Sequence, residues 1–76
     1  MKKSYVSLNI PELNKDIEEY YQKNGKEPYI IMSDTTANLL ASTFEYRGNK
    51  KGFVSLYRGF TVLRDNSLEV GEIDVR

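Results

Sequence analysis

Apolar residues recur along the first third of the chain with two different periods. Between residues 5 and 10, apolar and polar residues alternate, which predicts a half-buried strand. The segment that follows has the spacing of a helix, with one apolar stripe formed by Leu13, Ile17, Tyr20 and Tyr21. Asn9 stands three residues before Glu12, as in a helix N-cap, and Gly25 is suited to a C-cap. These signals predict a helix between Asn9 and Gly25.

The remainder of the chain is dominated by segments typical of strands. A short apolar run at residues 29–32 predicts a central strand, and Ser33 or Asp34 is placed to cap a second, short helix over residues 35–42. Turns that contain glycine, or Asp65-Asn66, separate further strand-like segments at residues 44–47, 53–58, 60–64, 68–70 and 73–75. The order β-α-β-α-β-β-β predicts an α+β fold, a small single domain over residues 1–76 with two helices on one face of a mostly antiparallel sheet. The side chains expected to be largely buried are Leu13, Ile17, Tyr20, Ile31, Leu40, Val54, Leu56 and Val62.

The composition of the 76 residues excludes several classes of function, because the chain has no His and no Cys. Disulfides, thiolate nucleophiles and Cys-ligated metal sites are excluded, as is a Ser-His-Asp triad. We therefore expect a non-enzymatic protein with no catalytic residues, no metal site and no cofactor. No apolar run approaches the ~20 residues of a membrane span, so we expect a cytoplasmic or virion-associated protein.

The charges balance overall, with 11 basic and 11 acidic residues, but they are unevenly distributed. Residues 47–64 contain five cations and no acid, and the tripeptide Tyr46-Arg47-Gly48 recurs as Tyr57-Arg58-Gly59. An aromatic ring beside a cation could stack on a nucleic-acid base and hold its phosphate. Alternatively, the cations could pair with opposite charges on neighbouring strands of the sheet. The pattern predicts a basic surface, for protein or nucleic acid, formed by Arg47, Lys50, Lys51, Tyr57, Arg58 and Arg64. Nucleic acid is not the favoured partner, because the isoelectric point is near 6.2.

The predicted first helix offers an alternative, acidic surface. Its carboxylates are Glu12, Asp16, Glu18 and Glu19. Carboxylates on a helix are ordinarily solvated, but together they could also face a basic cleft in an enzyme. On this alternative the chain is an inhibitor that binds a host defence enzyme directly or by mimicking nucleic acid.

From residue 29 onward the order of features resembles part of a tailed-phage major capsid protein. The resemblance rests on the segment YIIMSDTTANLL at residues 29–40, on GFTVL at 59–63 and on GEI at 71–73. It implies a phage or prophage origin. A coat subunit is several times longer, with an extended arm and a long spine helix, so the resemblance implies an accessory or assembly factor.

These observations together predict a small protein-interaction module that is encoded by a phage. Half of the chain is rich in strands, and a domain of this size cannot bury every face of its sheet. We therefore expect the sheet edge or the hairpin at residues 44–58 to bind a protein partner. That partner is expected to be a second copy or a larger assembly, with no membrane involved.

Overall fold

The computed structural model describes residues 2–49 and 52–76, whose helices and strands follow roughly the order expected from the sequence, with a fourth strand after the second helix. The elements are β1 (Lys2–Ser4), α1 (Ile10–Asn24), β2 (Ile30–Met32), α2 (Asp34–Leu40), β3 (Glu45–Asn49), β4 (Gly52–Tyr57), β5 (Phe60–Arg64) and β6 (Glu72–Val75). Short 3-10 turns at Val6–Leu8 and Ala41–Thr43 lead into α1 and β3. Within the described residues, no helix has both the length and the apolar character needed to cross a membrane.

Helix α1 is bounded by the two caps that the sequence predicts. The Asn9 side-chain oxygen accepts a hydrogen bond from the Glu12 amide at 3.2 Å, which satisfies one free N–H of the first turn. Gly25 ends the helix with a φ of 65°, a left-handed conformation that glycine adopts without steric cost. Its N–H donates to the Tyr21 carbonyl. Both ends of α1 are therefore determined locally.

Helix α2 is capped by Ser33, the first of the two candidates that the sequence offers. The Ser33 hydroxyl oxygen accepts from the Thr36 amide at 3.2 Å and lies 3.0 Å from the Thr36 hydroxyl. The Thr36 hydroxyl also accepts a hydrogen bond from the Gly71 amide at 3.1 Å. This buried polar cluster connects the start of α2 to the loop that precedes β6.

The described strands form one six-stranded sheet in the order β1-β6-β2-β5-β4-β3. All neighbours are antiparallel except β2 and β5, which are parallel. Strands β3, β4 and β5 follow one another as a meander, whereas β6 lies between β1 and β2. The predicted α+β class, with two helices and a mostly antiparallel sheet, is confirmed.

The core lies between the two helices and one face of this sheet. Ile30 lies opposite Val62 on one side and Val75 on the other, and Met32 lies opposite Ile73. Side chains of directly paired residues point to the same face, so these five form one apolar surface. The helices cover that surface with Leu13, Ile17, Ala37 and Leu40. We call the opposite face, which carries Ile31, Leu56 and Leu63, the open face.

Most of the expected core residues are buried, with two exceptions. Tyr20 and Val54 are half-buried, whereas the other six are buried. The sequence pattern also missed several core residues, namely Tyr5, Ile30, Met32, Phe44, Tyr57, Ile73 and Val75. Alternation alone did not show that all three residues of β2 are buried.

The strand predicted at residues 5–10 is wrong. The strand is Lys2–Ser4, and the chain then turns through Ser7 and Leu8, whose φ angles are 53° and 49°. Tyr5 is 2% exposed, and its amide donates to the Gly71 carbonyl at 2.9 Å. Because the Tyr5 ring enters the core, the chain must turn before α1. The strand expected at residues 68–70 is also absent, since this segment lies in the loop before β6.

Candidate functional site: the open edge of strand β3

Strand β3 lies at one end of the sheet, and no other described strand pairs with its outer side. Tyr57 and Phe60 flank the two-residue turn Arg58-Gly59, so they form a hydrogen-bonded pair. Hydrogen-bonded and non-hydrogen-bonded pairs alternate along antiparallel strands, so Leu56 directs its N–H and C=O toward its β3 partner, Glu45. It follows that residues 46 and 48 direct their N–H and C=O groups away from β4, toward the open side of β3.

The side chains along this edge divide between the two faces of the sheet. Glu45 lies opposite Leu56, and Arg47 lies opposite Val54, so both charged side chains are on the open face, where they are exposed. Tyr46 points to the helix side of the sheet and is 56% exposed. The edge therefore combines a positive charge, a negative charge and an aromatic ring within three residues.

Phe53 adds a second exposed ring on the same face of the sheet as Tyr46, two positions further along the hairpin. Gly48 and Phe53 are cross-strand partners, and a β-carbon at Gly48 would lie 2.9 Å from the Phe53 ring. The ring thus lies over the backbone of Gly48, yet Phe53 is 82% exposed. We refer to Glu45, Tyr46, Arg47, Gly48 and Phe53 as the β3 edge. All five residues lie in the hairpin at residues 44–58 that the sequence predicts to bind a partner, but only Arg47 belongs to the predicted basic surface.

Among the described members of the predicted basic surface, Arg47 and Arg58 lie apart. Arg58 is exposed in the β4–β5 turn with a φ of 51°, and Gly59 beside it has a φ of 87°. Positive φ at both positions is typical of the tight turn that joins two antiparallel strands. Arg58 follows the cross-strand partner of Arg47 by four residues, a separation of roughly 13 Å along β4. Lys50 and Lys51 lie outside the described residues.

Two members of that predicted surface are engaged within the molecule. The prediction that Tyr57 belongs to a binding surface is wrong, because the side chain is 3% exposed and its hydroxyl donates to Asn14 at 2.5 Å. Burial raises the pKa of Tyr57. Arg64 pairs with Asp34 at 3.3 Å and lies 5.9 Å from the centre of the Phe44 ring. Arg64 therefore helps to attach α2 to the sheet.

Lys3 of the same molecule neutralises part of the acidic surface of α1. Lys3 pairs with Glu12 and with Asp16, and the Tyr5 hydroxyl donates to Asp16 Oδ2 at 2.8 Å. Burial alone would raise the pKa of Asp16, but the hydrogen bonds from Tyr5 and Lys3 outweigh it, so that pKa is lowered. The Asp16 carboxylate therefore stays ionised and connects α1 to β1.

The other two carboxylates, Glu18 and Glu19, are exposed on α1. Glu18 accepts a hydrogen bond from Gln22 at 3.2 Å, within the same helix. An open groove of about 320 Å³ is lined by Asp16, Glu19, Tyr20, Lys23 and Asn24. Charges of both signs border this groove, so it does not form a purely acidic surface. Over residues 2–49 and 52–76, no three acidic side chains cluster in a way that could hold a metal ion.

No family model matches the chain, and searches of curated proteins and of solved structures give no match. The resemblance of residues 29–76 to a phage coat protein therefore stays a prediction. The geometry of the β3 edge is the firmest basis for a proposal about function.

Proposed function

We propose that this chain is a non-enzymatic protein-interaction module that binds an extended segment of a partner as an additional strand along β3. The observation that carries the proposal is the open side of β3, which has five residues and outward-pointing backbone groups at Tyr46 and Gly48. An unpaired strand at a sheet edge is a template for an incoming strand. Binding of this kind takes its affinity from main-chain hydrogen bonds and its specificity from flanking side chains.

The side chains beside the edge supply the contact area for such a partner. Tyr46 and Phe53 are 56% and 82% exposed, although aromatic rings of this size usually contribute to a core or an interface. Both lie on the helix side of the sheet, next to the position that an added strand would occupy. Glu45 and Arg47 lie on the open face and favour a partner with charges of both signs. The edge is therefore apolar on one side and charged on the other.

The acidic alternative receives less support from the geometry. Lys3 neutralises Glu12 and Asp16, which leaves Glu18 and Glu19 as the exposed acids of that group. An inhibitor that mimics nucleic acid needs a longer series of unpaired anions, because each phosphate of a nucleic acid carries a charge. The phage origin that we propose for the chain rests on the sequence resemblance alone. With that origin, the module is a virion accessory or an assembly factor.

Selection from a displayed library of random peptides tests the proposal and requires no identified partner. Peptides that bind the immobilised protein are measured against Tyr46→Pro and, as a matched control, against Tyr46→Thr. Proline at position 46 removes an outward N–H while the ladder to β4 stays intact, so the melting temperature should stay close to that of the parent. We expect peptide affinity to fall about 3- to 10-fold in Tyr46→Pro, as for the loss of one hydrogen bond, and less in Tyr46→Thr.

The charge-reversed variant Glu18→Lys with Glu19→Lys separates the edge from the acidic helix. On the edge proposal this double variant binds the selected peptides as well as the parent does. If the double variant loses them and Tyr46→Pro retains them, the binding surface is α1 and the proposal is wrong.

A further inference from the structure

We propose that the segment taken up by the β3 edge is β3 of a second copy of this chain, paired antiparallel about a two-fold axis at Tyr46. This inference rests on the proposed function and names its partner. In this register the sheets of the two subunits join into one continuous sheet, with the helices of both subunits on the same side. Three properties of β3 support the pairing: the direction of its backbone groups, the order of its charges and the position of its exposed rings.

The first property is the direction of the backbone groups. Tyr46 directs its N–H and C=O to the open side of β3, so two copies of Tyr46 placed opposite each other exchange both hydrogen bonds. If the register were shifted by one residue, each outward N–H and C=O of one copy would face a residue of the other copy whose own N–H and C=O already bond to β4. Antiparallel self-pairing of β3 is therefore restricted to registers in which a residue faces its own copy.

The second property is the charge sequence, which selects among these registers. With Tyr46 at the centre, Glu45 lies opposite Arg47 of the partner subunit, and the symmetry repeats this pair. With Glu45 at the centre, the two glutamates face each other, and with Arg47 at the centre, the two arginines do. Opposite charges directly across a strand pair are stabilising and like charges are destabilising. Among these three registers, only the one centred on Tyr46 places opposite charges across from each other.

The third property is the position of the exposed rings. Tyr46 would meet its own copy on the helix side, and the Phe53 ring, which lies over Gly48, would cover the same side of the new strand pair. Aromatic cross-strand neighbours are among the stabilising pairs in sheets. The pairing therefore buries the two most exposed aromatic side chains, Tyr46 at 56% and Phe53 at 82%.

The opposite edge of the sheet lacks these properties. Strand β1 has only three described residues, and two of them are lysines. Lys3 is already paired with Glu12 and Asp16. Self-pairing of β1 would bring like charges together, so β3 is the edge suited to a second copy.

Charge reversal followed by mixing tests this inference. Sedimentation equilibrium of the parent should give twice the chain mass of 8.8 kDa at micromolar concentrations. Arg47→Glu and Glu45→Arg each replace both attractive pairs by repulsive ones, so each should weaken dimerisation by about 10- to 100-fold. An equimolar mixture of the two variants recreates opposite charges in both pairs and should restore the dimer. The doubly exchanged chain, Glu45→Arg with Arg47→Glu, should dimerise like the parent.

Charge changes of the same sign at exposed positions in the α1–β2 loop provide the matched controls. Lys26→Glu and Glu27→Arg should leave the parent dimer unchanged. A monomeric parent would overturn the inference, as would single variants that stay dimeric or a mixture that stays monomeric. If the parent is monomeric but Tyr46→Pro still loses the selected peptides, the dimer is refuted and the proposed function stands. If Tyr46→Pro also retains the peptides, both are refuted.

Discussion

Replacing Tyr5 with phenylalanine removes one hydroxyl group from the contact that connects β1 to α1. The Tyr5 side chain is 2% exposed, and its hydroxyl donates to Asp16 Oδ2 at 2.8 Å. Lys3 Nζ donates to the same oxygen at 3.0 Å. The substitution keeps the buried ring and its packing, so it deletes a single hydrogen bond to a charged acceptor.

The expected loss of stability follows from the environment of that bond. Hydrogen bonds to charged groups contribute about 1.5–3 kcal/mol. Asp16 keeps its contact with Lys3, and its side chain is 12% exposed, so we expect the lower end, about 1.5–2 kcal/mol. One kcal/mol shifts the melting temperature of a chain of this size by about 4–8 °C, so the decrease should be about 6–16 °C.

The pKa of Asp16 gives this loss a dependence on pH. That pKa lies below its ordinary value of 3.8, because the hydrogen bonds from Tyr5 and Lys3 outweigh the effect of burial. Ionised Asp16 therefore favours the folded state. Its contribution is fully present above the unfolded pKa and disappears as the pH falls through the lower folded pKa. The stability difference between parent and Tyr5→Phe should accordingly narrow below about pH 4.

Thermal unfolding followed by circular dichroism at pH 7 and at pH 3 measures both effects. Tyr29→Phe serves as the control, because the same hydroxyl is removed from a residue that is 52% exposed. We expect this control to stay within about 0.5 kcal/mol of the parent. If Tyr5→Phe melts within about 2 °C of the parent at pH 7, the hydroxyl does not stabilise the fold and the reasoning is refuted.

Two further substitutions test the core and the cap of α2. Ile17 is 1% exposed, so Ile17→Ala should cost about 2–5 kcal/mol in urea unfolding, whereas Val6→Ala, at a residue 83% exposed, should be nearly silent. An unchanged urea midpoint for Ile17→Ala would contradict the packing described for α1. Ser33→Ala removes the acceptor of the Thr36 amide and should lower the free energy of unfolding by about 1 kcal/mol, measured in the same way. A loss well below this value would mean that the rest of the buried polar cluster compensates.

Features that depend on neighbouring residues in the chain were predictable from the sequence. The Asn9 cap, the apolar stripe of α1 and the glycine at its end all act within a few residues, and all are present in the structure. The segment at residues 5–10 was misleading, because its alternation matches a strand while Tyr5 is needed in the core. Local pattern could not reveal that Gly71 and Asp16, both distant in sequence, hold Tyr5 there.

The pairing of strands that are distant in the chain was not predictable, for a related reason. The parallel contact between β2 and β5 and the position of β6 between β1 and β2 join segments that are far apart in the chain. Two members of the predicted basic surface were misassigned for the same reason. In the sequence, Tyr57 and Arg64 cannot be distinguished from exposed residues. In the fold, the Tyr57 hydroxyl donates to Asn14 and Arg64 pairs with Asp34. The open edge of β3 became visible only once the strand order was known.

The position of β6 has a consequence for how the chain reaches this fold. The β3–β4–β5 meander joins strands that follow one another, and such local contacts form early because little chain entropy is lost. Strand β6 must instead enter between β1 and β2, which lie far from it in sequence. In any partly folded chain in which β6 has not docked, Ile30–Met32 has one side unpaired. Unpaired apolar strand edges promote aggregation, so we expect the yield of refolding to fall as protein concentration rises.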